Sequence, residues 1–214
     1  MQIYWQGYSS IRIESKQGDT SCILMTDPFE NEAAIRFPRT IEPDVLLCSN
    51  QDRKMFNLEG VAGTPFVISD PGEYEIRGVF INGIQDPKIG NTPLRPVIYR
   101  IEVEDMTVVF LGQLKRQLSD TELDALGNVD ILILPVGGDG AMDAKMAANI
   151  ISTVEPRIVI PIYYHVPGLK TKLGTVEQFC SAIGACQRQN VNKLKITKKE
   201  LPAEDLLVVV VDRT

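Results

Sequence analysis

The sequence predicts a single α/β domain over residues 1–214, in which two β-sheets pack face to face and helices cover the outer faces. Three observations lead to this fold class. Short, β-branched apolar runs crowd the first half of the chain, helices alternate with strands in the second half, and no linker, low-complexity tract or repeat separates the halves. Two facing sheets with outer helices would bury all of these apolar surfaces in one core.

The first half is dominated by short strands. The predicted strands are Gln2–Gln6, Ser10–Glu14, Ser21–Thr26, Val45–Cys48, Phe66–Ser69, Arg77–Ile84, Val97–Val103 and Thr107–Leu111. Turn residues at 17–19 separate the second strand from the third, and the segment 104–106 predicts a β-hairpin between the last two.

The second half carries the helix signals. Ser119–Glu122 and Thr175–Gln178 have the spacing of a capping box, which predicts helices that run to about Leu126 and towards Ala185. A third helix begins near Ala141, has apolar residues at helical spacing up to Val154 and stops before a proline. The remaining predicted strands are Ile131–Leu134, Arg157–Ile160, Lys193–Thr197 and Leu206–Val211.

Composition argues against several classes of partner. The net charge is −6, so there is no general attraction for nucleic acid or for an anionic membrane surface. The N-terminal residues lack the basic and apolar regions of a signal peptide. Apolar runs such as Leu206–Val211 are far shorter than the roughly 18 residues that span a bilayer. We therefore expect a cytoplasmic protein that binds neither nucleic acid nor membrane.

The four cysteines are predicted to be reduced and structural. Cys22 and Cys48 lie in apolar runs, which is typical of buried thiols. Cys180 and Cys186 are six residues apart in a helical pattern, which would place them on different helix faces. This spacing favours free cysteines over a disulfide or a metal site.

The segment Asp44–Lys54 (DVLLCSNQDRK) resembles the strand and loop that carry the HxHxDH motif in the metallo-β-lactamase superfamily. Flanking segments agree in order along nearly the whole chain, and one of them resembles a PGEYEI segment of a small bacterial branch near the ascorbate-phosphate lactonases. These flanking segments are Gly7–Glu14, Thr26–Phe29, Asp70–Ile76, Leu134–Gly138 and Ile160–Tyr164. The resemblance implies a four-layer αββα sandwich with zinc held at one edge, between the two sheets.

The zinc ligands that the resemblance implies are replaced in this chain. The HxHxDH ligand positions fall on Ser49, Gln51, Arg53 and Lys54. The remaining family positions, each a His or Asp, fall on Tyr8, on Gln85 or Asp86, and on Gln113, Arg116 and Tyr163. Since zinc needs His, Cys, Asp or Glu donors at fixed points, we expect no zinc or other metal cofactor.

Histidine content supports the same expectation without any family knowledge. The chain holds one histidine, His165, so a His-rich zinc site cannot be built. A rearranged single-metal site that uses His165 with Asp52, Asp70 or Asp86 stays open as an alternative. Asp27, which matches a family residue that supports the metal loop, is also explained as a turn residue before Pro28. The segment 137–140 before a helix is either a small anion cradle or a flexible turn, and the turn is favoured.

The replaced positions predict a vestigial pocket. Its members, which the family brings together from distant segments, are Tyr8, Ser49, Gln51, Arg53, Lys54, Gln113, Arg116 and Tyr163. Burying a lone cation is costly, so two outcomes are open. In one, a cation pairs internally with Asp27, Asp52 or Asp70 and closes the pocket. In the other, the cations stay open to water and bind a small phosphate or carboxylate ligand.

Two functions remain open at this stage. The first is a non-catalytic binding or assembly module whose partner is a small anion or another protein. The second is a hydrolase of a small, anionic substrate with relocated single-metal or metal-free chemistry. The sequence leaves homo-oligomerisation open, and fold alone does not choose between the two functions.

Overall fold

The computed structural model describes residues 1–32, 35–88, 96–138, 140–169, 171–184 and 186–214. These residues form fourteen strands, in chain order β1 (Gln2–Gly7), β2 (Ser10–Gln17), β3 (Thr20–Thr26), β4 (Val45–Leu47), β5 (Phe66–Ile68), β6 (Gly72–Ile76), β7 (Val79–Ile84), β8 (Ile98–Val103), β9 (Met106–Phe110), β10 (Ile131–Pro135), β11 (Ile158–Ile162), β12 (Gln187–Val191), β13 (Leu194–Lys195) and β14 (Leu207–Val211). The α-helices are α1 (Asp120–Leu126), α2 (Ala144–Val154) and α3 (Val176–Ile183).

The strands form two mixed sheets. The first has the order β13-β1-β2-β3-β4-β5, and the second has the order β12-β14-β11-β10-β9-β8-β7-β6. β8 and β9 are an antiparallel hairpin, whereas β10 pairs in parallel with both β9 and β11. The prediction of a sandwich of two facing mixed sheets is confirmed.

The alternation of side chains shows which face of the first sheet is inside. In β4, Val45 and Leu47 join the main core between the sheets, while Leu46 points the opposite way into a second cluster with Met25 and Phe37. This period of two is what a half-buried strand requires. Loop residues and Leu58 of a short 3₁₀ turn cover the outer cluster. Among the described residues, the outer face of the first sheet is therefore covered by loops.

The helices begin where the sequence predicts. Ser119 and Thr175 each close a capping box. Asp143 caps α2, which begins at Ala144, three residues after the predicted start near Ala141. Their buried residues, such as Leu126, Ile150 and Phe179, enter the main core. None of the helices among the described residues is long and apolar enough to cross a membrane.

Two predictions of local structure need correction. The strand predicted at Lys193–Thr197 is limited to Leu194–Lys195, because a 3₁₀ turn begins at Lys198. The expectation that Cys180 and Cys186 are free is wrong, since they form a disulfide with Cα atoms 5.4 Å apart. The helical spacing argument failed because α3 ends at Ile183, before Cys186. Cys22 and Cys48 are buried free thiols, as predicted, and burial raises their pKa values to about 11 and about 12.

One buried hydroxyl ties the two sheets together next to the edge where the site lies. Tyr99 of β8 is fully buried, and its hydroxyl lies 2.7 Å from the carbonyl of Cys48 and 3.1 Å from that of Ile68. These carbonyls belong to the ends of β4 and β5 in the opposite sheet. The contact fixes the position of the strand ends that carry the predicted pocket residues.

Candidate functional site at the strand ends

Four segments that are distant in sequence meet at one edge of the sandwich. The backbone N–H of Tyr163, just after β11, donates to the carbonyl of Tyr8 at 3.0 Å. The side chain of Gln113, beyond β9, donates to the hydroxyl of Ser9 at 3.2 Å, and the Ser9 side chain hydrogen-bonds Asp27 at the end of β3. The backbone of Tyr8, Asp27 and Tyr163 is left-handed there, with φ of 47°, 40° and 53°.

Asp27 and Ser49 form a buried pair at the bottom of this edge. Asp27 accepts from the backbone N–H of Ser49 at 2.7 Å and from its hydroxyl at 2.6 Å, and both residues are buried. Burial raises the pKa of Asp27 to about 6, although the hydrogen bonds from Ser49 and Ser9 favour the charged form. The hydroxyl hydrogen of Ser49 is therefore used in an internal hydrogen bond.

Gly112 allows this close packing. A Cβ atom at Gly112 would lie 2.1 Å from the Cβ of Ser49, and the residue has φ of 56°. Glycine alone meets both demands at this position. The approach leaves no room for a bulkier side chain between the two strand ends.

A cavity of about 260 Å³ opens above the buried pair. Three residues of the predicted pocket, Tyr8, Gln113 and Tyr163, line it together with Asp27. The other lining residues are Ser9, Pro28, Phe29, Glu32, Met55, Phe56 and Thr171. The structure therefore brings part of the predicted set together around one space.

The Tyr8 side chain is held by a carboxylate at the cavity wall. Its hydroxyl donates to Glu32 Oε1 at 2.6 Å. Burial and this hydrogen bond raise the pKa of Tyr8 to about 12, with a smaller opposing effect from Thr171. Tyr8 thus stays a protonated donor at neutral pH and orients the carboxylate of Glu32.

Gln51, Arg53 and Lys54 do not line the cavity. Gln51 donates to Asp70 at 3.0 Å, and Arg53 Nε donates to the hydroxyl of Ser69 at 2.8 Å, at the end of β5. The Lys54 side chain is exposed and makes no hydrogen bond or ion pair with the described residues. The loop after β4 therefore turns its cations away from the cavity.

Arg116 makes an internal ion pair, but with a different partner from those predicted. Its guanidinium donates to both carboxylate oxygens of Glu122 at 2.7 Å, rather than to Asp27, Asp52 or Asp70. The Glu122 side chain is fully buried and also accepts from the backbone of Ser119 at 3.0 Å. Burial alone would raise the pKa of Glu122, but the hydrogen bonds and charge of Arg116 outweigh it, so this pKa is lowered.

Comparison with known proteins decides the family. The profile of the Beta-lactamase superfamily domain matches residues 2–163 of this chain. The chain belongs to the beta-lactamase superfamily. A UPF0173 metal-dependent hydrolase of Pyrococcus horikoshii is 34% identical over 104 residues, which are 44% of this chain and 44% of that relative. A UPF0173 metal-dependent hydrolase of Salinibacter ruber is 26% identical over 83% of this chain and 91% of its own length.

Solved structures of superfamily members share the fold. A Thermotoga maritima protein classed as a Zn-dependent hydrolase of the metallo-beta-lactamase superfamily has a TM-score of 0.77 and 27% identity, over 99% of this chain and 100% of that one. A protein of Parabacteroides distasonis, classed as a metal-dependent hydrolase, has a TM-score of 0.62 and 16% identity, over 99% and 93% of the two chains. The second likeness concerns the fold alone.

The residues at this superfamily edge do not fit a metal ion. The positions where the family resemblance implies ligands carry hydroxyl, amide and cationic groups, and the nearby Asp27 carboxylate accepts two hydrogen bonds from Ser49. Within the described ranges, no three His, Cys, Asp or Glu side chains gather so that they could hold a metal. The rearranged site built on His165 is therefore not assembled among these residues, and His165 is exposed.

One backbone N–H of the glycine-rich segment before α2 is already used within the protein. Asp139 lies outside the described residues. The N–H of Gly138 donates to the carbonyl of Met142 at 3.0 Å, so it is not available to an anion.

Sequence reasoning missed the two carboxylates that organise this edge. Glu122 was recognised only as a capping-box residue, and nothing in the sequence connects it with Arg116 across the loop. Glu32 lies in an irregular segment without a motif. The sequence did contain one general signal. It has 28 acidic and 22 basic residues, so there are enough carboxylates for every cation to have one as a partner.

Proposed function

We propose that this chain is a non-catalytic member of the beta-lactamase superfamily that uses the edge of the sandwich for binding. The observation that carries the proposal is that Ser49 and Arg116, at two positions where the resemblance implies ligands, already have partners inside the protein. Ser49 is hydrogen-bonded to Asp27, and Arg116 is paired with both oxygens of a buried Glu122. A bound dication would have to break these contacts and would meet added positive charge.

The arrangement also accounts for charge balance without a metal. In a zinc site the ion compensates the surrounding carboxylates. Here a guanidinium compensates Glu122, and three hydrogen-bond donors from Ser49 and Ser9 stabilise Asp27. Neither Glu122 nor Asp27 therefore needs a bound metal to compensate its charge.

The second candidate function is metal-free hydrolysis of a small substrate. The relatives named as metal-dependent hydrolases favour hydrolysis, and Asp27, whose pKa of about 6 suits a general base, favours a form of it without a metal. Asp27 lines the cavity, so a substrate could reach it, whereas the Ser49 hydroxyl is buried behind it. In this mechanism Asp27 would take a proton from a water molecule that attacks the substrate.

Metal analysis and activity measurement separate the two candidates. We expect the purified full chain to contain no stoichiometric zinc, iron or manganese, and its Tm to stay unchanged when a chelator is added. The Thermotoga maritima protein serves as the control that a chelator should destabilise. A chelator-induced drop in Tm that zinc reverses would overturn the proposal. Turnover of ester, lactone or phosphodiester substrates that is lost in Asp27→Asn would favour the metal-free hydrolase instead.

A further inference from the structure

Three aromatic rings meet in the cavity at the strand ends. The ring centroids of Tyr8 and Phe29 are 5.5 Å apart with an edge-to-face angle of 75°, and those of Tyr8 and Tyr163 are also 5.5 Å apart. All three residues line the cavity. Aromatic rings carry negative charge on their faces and attract a cation within about 6 Å of the centroid.

The carboxylate of Glu32 lies in the same cavity wall. Glu32 Oε1 accepts from the Tyr8 hydroxyl, while Oε2 is buried and has no hydrogen-bond partner among the described residues. A buried charged oxygen without a partner is costly, because it has lost its water without a replacement. Because Oε2 is shielded from the solvent in the cavity, a ligand there would be attracted by the charge of the Glu32 carboxylate and not by direct contact with Oε2. This charge favours a positively charged ligand.

The cations of this edge lie elsewhere. None of the described residues that line the cavity is a lysine or an arginine, whereas Asp27 and Glu32 both line it. Arg116 is held by Glu122 and Arg53 by Ser69, and Lys115 is exposed and outside the lining. This distribution disfavours the small anion that the sequence suggested as a ligand.

We infer that the cavity binds a small monovalent organic ammonium ion, with its alkyl groups against Tyr8, Phe29 and Tyr163 and its charge beside Glu32. The inference rests on the proposed binding function and specifies its ligand. A cavity of about 260 Å³ lies just below the usual range of about 300–1,000 Å³ for ligand sites, so it limits the ligand to a free small molecule. A methylated ammonium suits the site because it pairs with rings and carboxylate without needing several hydrogen-bond acceptors.

Binding of choline by the full chain tests the inference. The neutral comparison is dimethylbutanol, in which a quaternary carbon replaces the nitrogen of choline, and calorimetry is done at constant ionic strength with potassium chloride. We expect choline to bind at least tenfold more tightly than dimethylbutanol. Glu32→Gln should weaken choline by about tenfold, as expected for loss of a nearby opposite charge. Phe29→Leu should weaken choline more than dimethylbutanol, and Lys115→Ala should leave choline binding intact.

The opposing outcomes are equally definite. No binding of choline to the wild-type chain, equal binding of the neutral compound, or an unchanged affinity in both Glu32→Gln and Phe29→Leu would overturn the inference. So would binding of inorganic phosphate that Lys115→Ala abolishes. Metal content is measured on the same samples, so that failure to bind choline in a metal-free protein refutes the ligand alone. A stoichiometric metal refutes the proposed function itself.

Discussion

Replacing Arg116 with alanine tests whether its ion pair with the buried Glu122 stabilises the folded protein. Arg116→Ala would leave Glu122 ionised in a site where its side chain has no exposure to solvent. Breaking a buried pair in this way costs about 3–5 kcal/mol. Because 27% of the Arg116 side chain is exposed, water can enter and screen the charge, so we expect about 3 kcal/mol.

The expected loss is large enough to measure directly. For a chain of this size, about 3 kcal/mol corresponds to a fall in Tm of about 6–12 °C. Urea unfolding followed through the fluorescence of Trp5, the one tryptophan of the chain, gives the free energy of unfolding. The matched variant is Glu122→Gln combined with Arg116→Ala, which removes the charge that would otherwise be stranded. It should recover more than about 1 kcal/mol of the loss.

The pH dependence gives an independent reading of the same pair. Because the pKa of Glu122 is lowered in the folded protein, its contribution to stability is present above the ordinary value of 4.5 and is lost as pH falls through the lowered pKa. Without Arg116, two of the effects that oppose burial are lost, so this stabilising contribution should become smaller. A loss below about 0.5 kcal/mol in Arg116→Ala, typical of an exposed pair, would refute the reasoning. Failure of Glu122→Gln to recover stability would refute it too.

Two further predictions concern the buried pair. The pKa of Asp27 rises from 3.8 to about 6 on folding, so the free energy of unfolding of the wild type relative to Asp27→Asn should fall by about 3 kcal/mol as pH rises from about 4 to above 6 in matched urea titrations. Gly112→Ala should cost about 2–4 kcal/mol more than Gly127→Ala in the same unfolding assay, because both glycines have φ of 56° but only the first would place its Cβ against Ser49. Equal costs for the two alanine variants would show that the strand ends relax apart, and a difference between wild type and Asp27→Asn that does not change with pH would refute the raised pKa of Asp27.

The elements that the sequence predicts well are those whose signal is local. The capping boxes at Ser119 and Thr175 open helices in the structure, and the β-branched runs form the central strands. The strands that sequence reasoning missed, Gly72–Ile76 and Gln187–Val191, are the two edges of the second sheet. Edge strands are polar because one side faces water, so they lack the apolar alternation that marks a strand.

The sequence predicted which edge of the sandwich carries the candidate site, but not the partners that its side chains have there. Family resemblance placed Tyr8, Gln113 and Tyr163 at one edge, and all three line the cavity. The resemblance could not show where long side chains go, because Arg53 and Arg116 each reach several ångströms and choose partners only in the folded chain. Glu122, the partner of Arg116, is a residue that composition alone would place at the surface.

The left-handed backbone at Tyr8, Asp27 and Tyr163 places conformational strain at the edge that carries the cavity. A residue other than glycine in this conformation costs about 1–2 kcal/mol, with aspartate at the lower end. Three such residues at one edge tie up several kcal/mol, in a domain whose whole stability is about 5–15 kcal/mol. Packing in the rest of the domain offsets the cost of this strained backbone. The backbone conformation of the cavity wall at Tyr8, Asp27 and Tyr163 therefore depends on the packing of the rest of the domain around it.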